Sequence, residues 1–508
     1  MNKSTILLML SISLPALLAG NKVVTPGTQK THEKISATHP TLDDQVILMQ
    51  KQIADLQKQL DDFVKQENHS CAVAEPKQAS YTQFDKGFMP VPGTTGAVKI
   101  SGMVKLDMIY DGKSNTGEVT QVQRVPYDLT VNQGSDYSWK KHCYMNAKQT
   151  KLQVDYVAKN SSGQDAKAFI AMDFFGAPVL GDSAVNGGSG FSSTYLPRLC
   201  YAGISYAGLE AGNLFTTFHL TEAALPTVDF IGITGGYATH PLIRYTHKLD
   251  NLSLTAAAER SQADYVQFTN TNNTVRYTYF TTYSTGISSF STGNLSKSEH
   301  PDLAMKVKYS FNNGSTIGFS GVYRDLQIKN NSGSDNRNYR ATGHGVNFAV
   351  KIMTFGKSFF TGAIMTGKGI GRYIFEANGR SAFLDQTRGY KAIPMTMFWA
   401  GYCQVWNLQW RTSVGVARIE LGTTSFNRDA LKTTAYAVND PGIDRTFNKF
   451  LINTMHKPEE NLEFGLEYFY LPRKSVNTNR GTGVNASNGV DSNTGTGHRF
   501  QFATSYKF

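Results

Sequence analysis

Alternation is the dominant pattern along this chain. Between Lys99 and Asp111, Ile100, Val104, Leu106, Met108 and Tyr110 share one phase, while Lys99, Ser101, Lys105, Asp107 and Asp111 share the other. A period of two marks a strand whose faces meet different surroundings. Acidic and basic groups on an inward face are costly in a dry core, and a water-filled interior tolerates them. The same alternation puts Lys306 and Lys308 inward in 303–311, Gln409 and Arg411 inward in 408–414, and Glu463 and Glu467 inward in 462–468. In 498–508, Phe500, Phe502, Tyr506 and Phe508 oppose Arg499, Gln501, Ser505 and Lys507. Rings toward lipid and polar groups toward a wet lumen is the pattern of an outer-membrane barrel strand.

Strand-like segments recur near 99–111, 149–158, 166–175, 198–206, 209–217, 241–249, 252–260, 277–284, 303–311, 316–324, 345–354, 358–367, 396–405, 408–417, 447–456, 461–470 and 498–508. Single-chain bacterial barrels take an even number. Segment 277–284 is the weakest, so the expected fold is an all-β transmembrane antiparallel barrel of 16 strands, with 18 the alternative. Sixteen strands enclose an aqueous lumen, whereas eight are filled by side chains. The longest connections, 112–148, 261–302, 368–395 and 471–497, are expected on the extracellular rim. Asp250-Asn251 and Asn312-Asn-Gly314 read as tight turns on the opposite side.

Residues 1–20, with Lys3 ahead of an apolar run, read as a signal peptide. Asn21 stands where a lipidated Cys would be needed, which argues against a lipid anchor. Residues 21–40 read as disordered. Between 41 and 66, Val46, Met49, Ile53, Leu56, Leu60 and Phe63 follow a 3–4 spacing, the seam of a coiled coil. Thr41 with Asp44 starts it as a capping-box variant. A helix this short needs burial against a partner, so it reads as a periplasmic self-association stalk, the alternative being one amphipathic helix lying on the barrel. A polar linker, 67–86, follows, and the barrel takes 87–508.

Composition sharpens this. Tyr 25 and Phe 30, with Gly 46, suit many half-polar strands joined by turns. The formal net charge is +11. In an exported protein that points to lipopolysaccharide, or to a lumen whose field favours anions, rather than to nucleic acid. Cys71, Cys143, Cys200 and Cys403 are scattered, without metal-ligand spacing, and read as isolated thiols. Neither G-x-S-x-G nor H-E-x-x-H occurs, so neither an enzyme nor a metal or cofactor is expected.

Ordered motifs carry a family resemblance. Gly87-Phe-Met-Pro-Val-Pro-Gly-Thr94 leading into 98–107, then Met172-Asp-Phe-Phe-Gly176, Pro197-Arg-Leu-Cys-Tyr-Ala202, Ala211-Gly-Asn-Leu-Phe-Thr-Thr-Phe218 and Ala224-Leu-Pro-Thr-Val-Asp-Phe230, resemble the DcaP-like trimeric outer-membrane porins. The match is strongest over 87–111 and 166–250 and thin between 261 and 400. Cys200 and Leu214-Phe215 depart from the polar or aromatic residues expected there. The resemblance implies a homotrimer in the bacterial outer membrane, a coiled-coil extension, passage of small anions such as dicarboxylates, and a loop folded inward over 219–240.

By phase, Lys105, Arg198, Arg244, Lys306, Lys308, Arg324 and Arg411 are expected to line the pore and meet anions, together with Lys99, Lys351 and Arg499. Arg is suited to carboxylates because its planar fork engages two oxygens and stays charged. Arg198, Arg244 and Lys105 are placed nearest the constriction, opposite Glu222 and Asp229 of its loop. The competing expectation is a surface or structural protein, an adhesin or cell-wall tether, with little transport role.

Overall fold

The computed structural model describes residues 87–114, 139–159, 164–176, 196–234, 238–271, 274–280, 295–296, 299–329, 338–377, 380–385, 389–422, 444–475 and 494–508. The signal peptide, stalk, linker and Cys71, with the seam positions from Val46 to Phe63, lie outside the described residues.

Sixteen antiparallel strands close into one barrel. They are β1 Gly96–Ser114; β2, in the pieces Trp139–Asn146 and Lys151–Lys159; β3 Asp165–Gly176; β4 Leu196–Tyr206; β5 Leu209–Phe215; β6 Thr239–Leu249; β7 Leu252–Glu259; and β8 Asp302–Ser310. The circuit continues with β9 Thr316–Lys329, β10 Asn338–Met353, β11 Phe359–Lys368, β12 Pro394–Val405, β13 Trp410–Leu421, β14 Asp444–His456, β15 Leu462–Ser475 and β16 Thr494–Lys507. Each pairs with its neighbours in sequence, and β16 closes on β1 through Met103↔Lys507 to Asp111↔Arg499. Closure removes both edges, which is what lipid demands of a sheet with no water to satisfy it.

Each of the sixteen retained segments is a wall strand. The discarded one, near 277–284, overlaps Thr274–Phe280, which pairs with Tyr265–Thr271 in a small sheet outside the wall. Ala382–Asp385, from the connection after β11, joins that sheet in parallel, so two long connections are hydrogen-bonded to one another.

Connections alternate in length. Short turns at 207–208, 250–251, 311–315, 354–358, 406–409 and 457–461 share one rim with the start of β1 and the end of β16. The long ones, among them 216–238, 260–301 and 369–393, lie on the other. Asp250 takes φ 49° and Gly314 φ 86°, so both tight-turn readings hold.

The packing is inside out. Along β1, Ile100 and Val104 are more than half exposed, whereas Asp107 and Asp111 are fully buried. The apolar outer face ends abruptly toward the long-loop rim, where Asp325, His344, Thr366, Thr396, Arg418 and Asn448 are the first polar residues on the outward phase of β9 to β14. Tyr323↔His344, His344↔Lys368, Thr366↔Thr396, Thr396↔Glu420 and Arg418↔Asn448 pair across the sheet. The boundary therefore slips by about six residues over about five strand spacings, roughly 20 Å against roughly 24 Å, a strand tilt of about 40°. A tilted sheet whose boundary stays level is what a flat membrane imposes.

Cys143, Cys200 and Cys403 are free thiols at separate positions in the wall.

Candidate functional site: a stitched constriction

The connection after β5 folds into the lumen. Phe218, Leu220, Ala223, Leu225 and Ile233 join a cluster with Met397, Trp399, Ile419, Leu451 and Phe469 of the inner wall. The wall makes room for this. A Cβ on Gly415 would collide with the Ile233 side chain, and one on Gly465 would sit 2.5 Å from Val228 Cγ2. Side-chain-free positions on β13 and β15 thus let the loop's apolar edge lie flat on the wall.

Its carbonyls are tied down by wall side chains. Ser320 Oγ donates to Phe218 O at 2.5 Å, joined by Asn347 Nδ2 at 2.8 Å. Thr361 Oγ1 donates to Ala223 O. Asn453 Nδ2 reaches Pro226 O at 3.0 Å, Lys105 Nζ reaches Val228 O at 2.6 Å and Lys449 Nζ reaches Gly232 O at 2.8 Å. In the other direction, the Val228 and Asp229 amides donate to the Glu467 carboxylate at 2.9 and 2.7 Å. Each such bond satisfies a buried backbone group that would otherwise cost about 1–3 kcal/mol. The loop is a fixture, stitched to β1, β9, β10, β11, β14 and β15.

A second inward loop, 369–393, packs beside it. Ile370, Tyr373, Ile374 and Ala377 belong to the same cluster. His219 Nε2–H donates to Tyr373 O at 2.7 Å, and Lys449 also pairs with Glu376. Burial pushes the His219 imidazole down to about 4, so it is neutral at physiological pH. Tyr373 Oη meets Asp302 at 3.0 Å and Glu259 at 3.3 Å, and Glu259 accepts the Thr217 amide at 2.7 Å.

The strand residues expected to line the pore lie on the inward phase of their strands but differ widely in exposure. Arg324 is 0% exposed: it donates to Asp302 at 2.8 Å, to Gly369 O at 2.5 Å and to Ser381 Oγ at 2.9 Å. It holds loop 369–393 and cannot line the pore, because it is fully buried and four of its five N–H groups are bonded, the fourth to Gln262 O at 2.8 Å. Lys105 is likewise buried, bound to Gln149, Asp107 and Val228 O. Asp229 does not form an opposing wall: its Oδ1 accepts the Ile231 and Gly232 amides and its Oδ2 lies 3.4 Å from Arg499. The other candidates keep access to the lumen, each with a partner. Arg198 grips Asp173 at 3.0 and 2.5 Å, Arg244 meets Glu210 at 2.7 Å, Lys308 meets Glu222 at 2.5 Å, and Arg411 meets Glu463 at 2.5 Å. Lys306 Nζ donates to His219 O at 3.3 Å. Burial, the largest single effect, raises the Glu222 carboxyl, but the bonded Lys308 ammonium, a backbone amide and the nearby Lys306 charge together hold it below its ordinary range.

Residues that phase alone did not single out also shape the site. Lys449, Glu376 and Tyr373 belong to the second loop and its anchor. The signal was present: 369–393 carries Ile370, Ile374, Phe383 and Ile393, unlike the Gly- and Asn-rich 476–493. Lys151 projects inward with Nζ 4.2 Å over the Tyr201 ring, and Arg198 lies 5.2 Å over Phe175. Phe230, from the tip of the stitched loop, packs 5.0 Å from Phe175.

Access is lopsided. Inward positions of β9 to β15 such as Ser320, Asn347, Met397, Ser413 and Phe469 are buried under the two loops. Half-buried positions cluster on the other side, with Gln153, Asp155, Arg198, Tyr201, Arg244, Lys306 and Lys308 on β2, β4, β6 and β8, while Lys351, Arg411 and Glu463 stay half-buried only near the short-turn rim of β10, β13 and β15. Among the described residues, Glu299, His300 and Asp325 approach one another closely enough for a cation. Both Asp325 oxygens are engaged by Arg340, at 2.8 and 2.9 Å, which disfavours that use.

No protein-family model and no curated protein matches the chain. Among solved structures it is similar to the outer membrane channel DcaP of Acinetobacter baumannii, with TM-score 0.59 and 16% identity over 81% of this chain and 97% of that one. Lower similarities include an anion-selective porin from Comamonas acidovorans, at TM-score 0.47 and 10% identity over 81% and 100%, and Salmonella typhi OmpF, at TM-score 0.45 and 10% identity over 82% and 98%. The likeness to DcaP is one of fold: a closed sixteen-strand barrel of the outer-membrane kind.

Proposed function

We propose that this chain is an outer-membrane porin, a passive diffusion channel for small hydrophilic solutes with a preference for anions such as small dicarboxylates. The observation that carries the reading is the lopsided lumen. One side is sealed by two stitched loops, while the side formed by β2 to β6 and β8 keeps polar and charged groups in reach of water. Three cations there, Arg198, Arg244 and Lys308, are compensated by Asp173, Glu210 and Glu222. Lys151 and Lys306 have no ion-pair partner among the described residues, against Asp155, which accepts from Gln153 at 2.9 and 3.0 Å. The surplus is small. A modest selectivity by the field of the lining, with weak sites that release what they bind, is what it supports. Paired guanidiniums remain useful, because a passing carboxylate can exchange with the resident one.

Planar-bilayer recording tests this. Ohmic steps and a reversal potential of anion-selective sign in a potassium chloride gradient are expected, with current carried by succinate as well as chloride. Replacing these two cations, Lys151→Gln with Lys306→Gln, should move the reversal potential toward zero without removing the steps. A silent bilayer would favour a purely structural role on the surface. Cation selectivity would end the anion reading and leave the channel.

A further inference from the structure

We infer that the outer face of β10 to β13, at the edge of the apolar band, is a binding platform for a phosphorylated glycolipid of the outer leaflet. This goes beyond the channel reading, since none of the residues involved faces the lumen. His344, Lys368 and Arg418 are exposed and lie on the outward phase. They stand at the apolar boundary, with Val346, Phe348, Ile364, Phe398 and Val416 exposed immediately below. Their level is therefore that of the headgroups on the long-loop side, where acyl chains would lie along the aromatic and aliphatic column.

Two features say the occupant is an anion. His344 and Lys368 are direct cross-strand partners on the same face, so an ammonium and an imidazole able to donate stand side by side. Neither has an ion-pair partner among the described residues. A phosphate between them would compensate the Lys368 charge and accept hydrogen bonds from both. One row further along, the hydroxyls of Thr366 and Thr396 meet at 2.9 Å on the exposed face, adding neutral donors. Arg418 supplies the second fixed cation, only partly engaged by Glu420 at 3.4 Å.

The spacing favours a headgroup with more than one phosphate. Lys368 and Arg418 are separated by two strand spacings and four residues of register, which puts their Cα atoms about 17 Å apart along the level boundary. Long side chains at both ends can converge on a diglycosyl headgroup carrying a phosphate at each end. A monoanionic or zwitterionic phospholipid would engage only one.

The test uses the full-length protein extracted from outer membranes in mild detergent, with bound glycolipid quantified by native mass spectrometry. Vesicles carrying lipid A, enzymatically dephosphorylated lipid A or phosphatidylethanolamine serve as probes in a binding assay. The double variant Lys368→Glu with Arg418→Glu should lose at least tenfold in retained glycolipid. Its single-channel conductance should be unchanged, which also certifies that it folds. The milder pair Lys368→Gln with Arg418→Gln should fall between. Dephosphorylated lipid A should bind the native protein no better than phosphatidylethanolamine. Equal retention by variant and native protein overturns the inference, as does indifference to the phosphates. A variant that changes oligomer mass while keeping its glycolipid would make this face a contact between copies instead, and would overturn it too.

Discussion

His219 shows how one residue couples two loops that are far apart in sequence. Its neutral ring donates to Tyr373 O across the gap between the inward connections. Its folded value, about 4, lies below the ordinary value of about 6.5. A released loop therefore binds the proton more readily than the docked one, and docking weakens as pH falls from about 6.5 to about 4. By linkage this reaches about 2–3 kcal/mol at pH 4.5. Glu222, held low by Lys308, acts in the same direction: its contribution persists above the ordinary carboxylate range and is lost only as pH drops through its depressed value. Acidification should raise closure frequency and current noise in single-channel records. In His219→Gln, which keeps a donor and cannot titrate, the change between pH 6.5 and 4.5 should vanish; its persistence would clear His219.

At the scale of elements, the inward position of 216–238 is set by the fit between a loop and a wall. The loop's apolar side chains seat on positions without side chains, and its carbonyls meet donors at intervals along several strands. Among the glycines that face the loop, Gly415 is the tightest, because Ile233 occupies the space a Cβ would take. Gly415→Leu should lift the loop at a cost of about 1–3 kcal/mol, enlarging conductance while the barrel still resists unfolding by detergent until heated. An unchanged conductance would mean the loop does not set the narrowest point. Alternation made the wall strands readable, since every second residue reports which solvent it meets. It could not separate Arg324, buried and consumed by loop 369–393, from Arg198, whose side chain is 40% exposed. Both have the same phase, and what differs is whether a loop from elsewhere in the chain covers them.

For the molecule as a whole, the short-turn rim carries the start of β1, and residues 41–66 precede it with the spacing of a coiled coil. A three-stranded coiled coil of 41–66 would bury seam positions Val46, Ile53 and Leu60, which a lone helix of this length would leave wet. Deleting 41–66 should lower the oligomer mass or its thermal resistance, measured by light scattering in detergent, with the sixteen-strand barrel and its conductance per pore retained. An oligomer as stable as before would remove the stalk from assembly.

The sequence by itself determined the barrel, its strand count and, away from bulges such as that between β3 and β4, the side a strand residue faces. Phase, parity and turn chemistry are local properties, and a bilayer outside with water inside turns them directly into position. Only the tertiary structure decided which inward charges are open to a solute. That depends on where 216–238 and 369–393 come to rest, and their anchors, from Lys105 and Ser320 to Lys449 and Glu467, lie up to 239 residues away along the chain. Docking over such separations is set by shape and by hydrogen-bond partners assembled in space, and a periodic pattern carries no record of it.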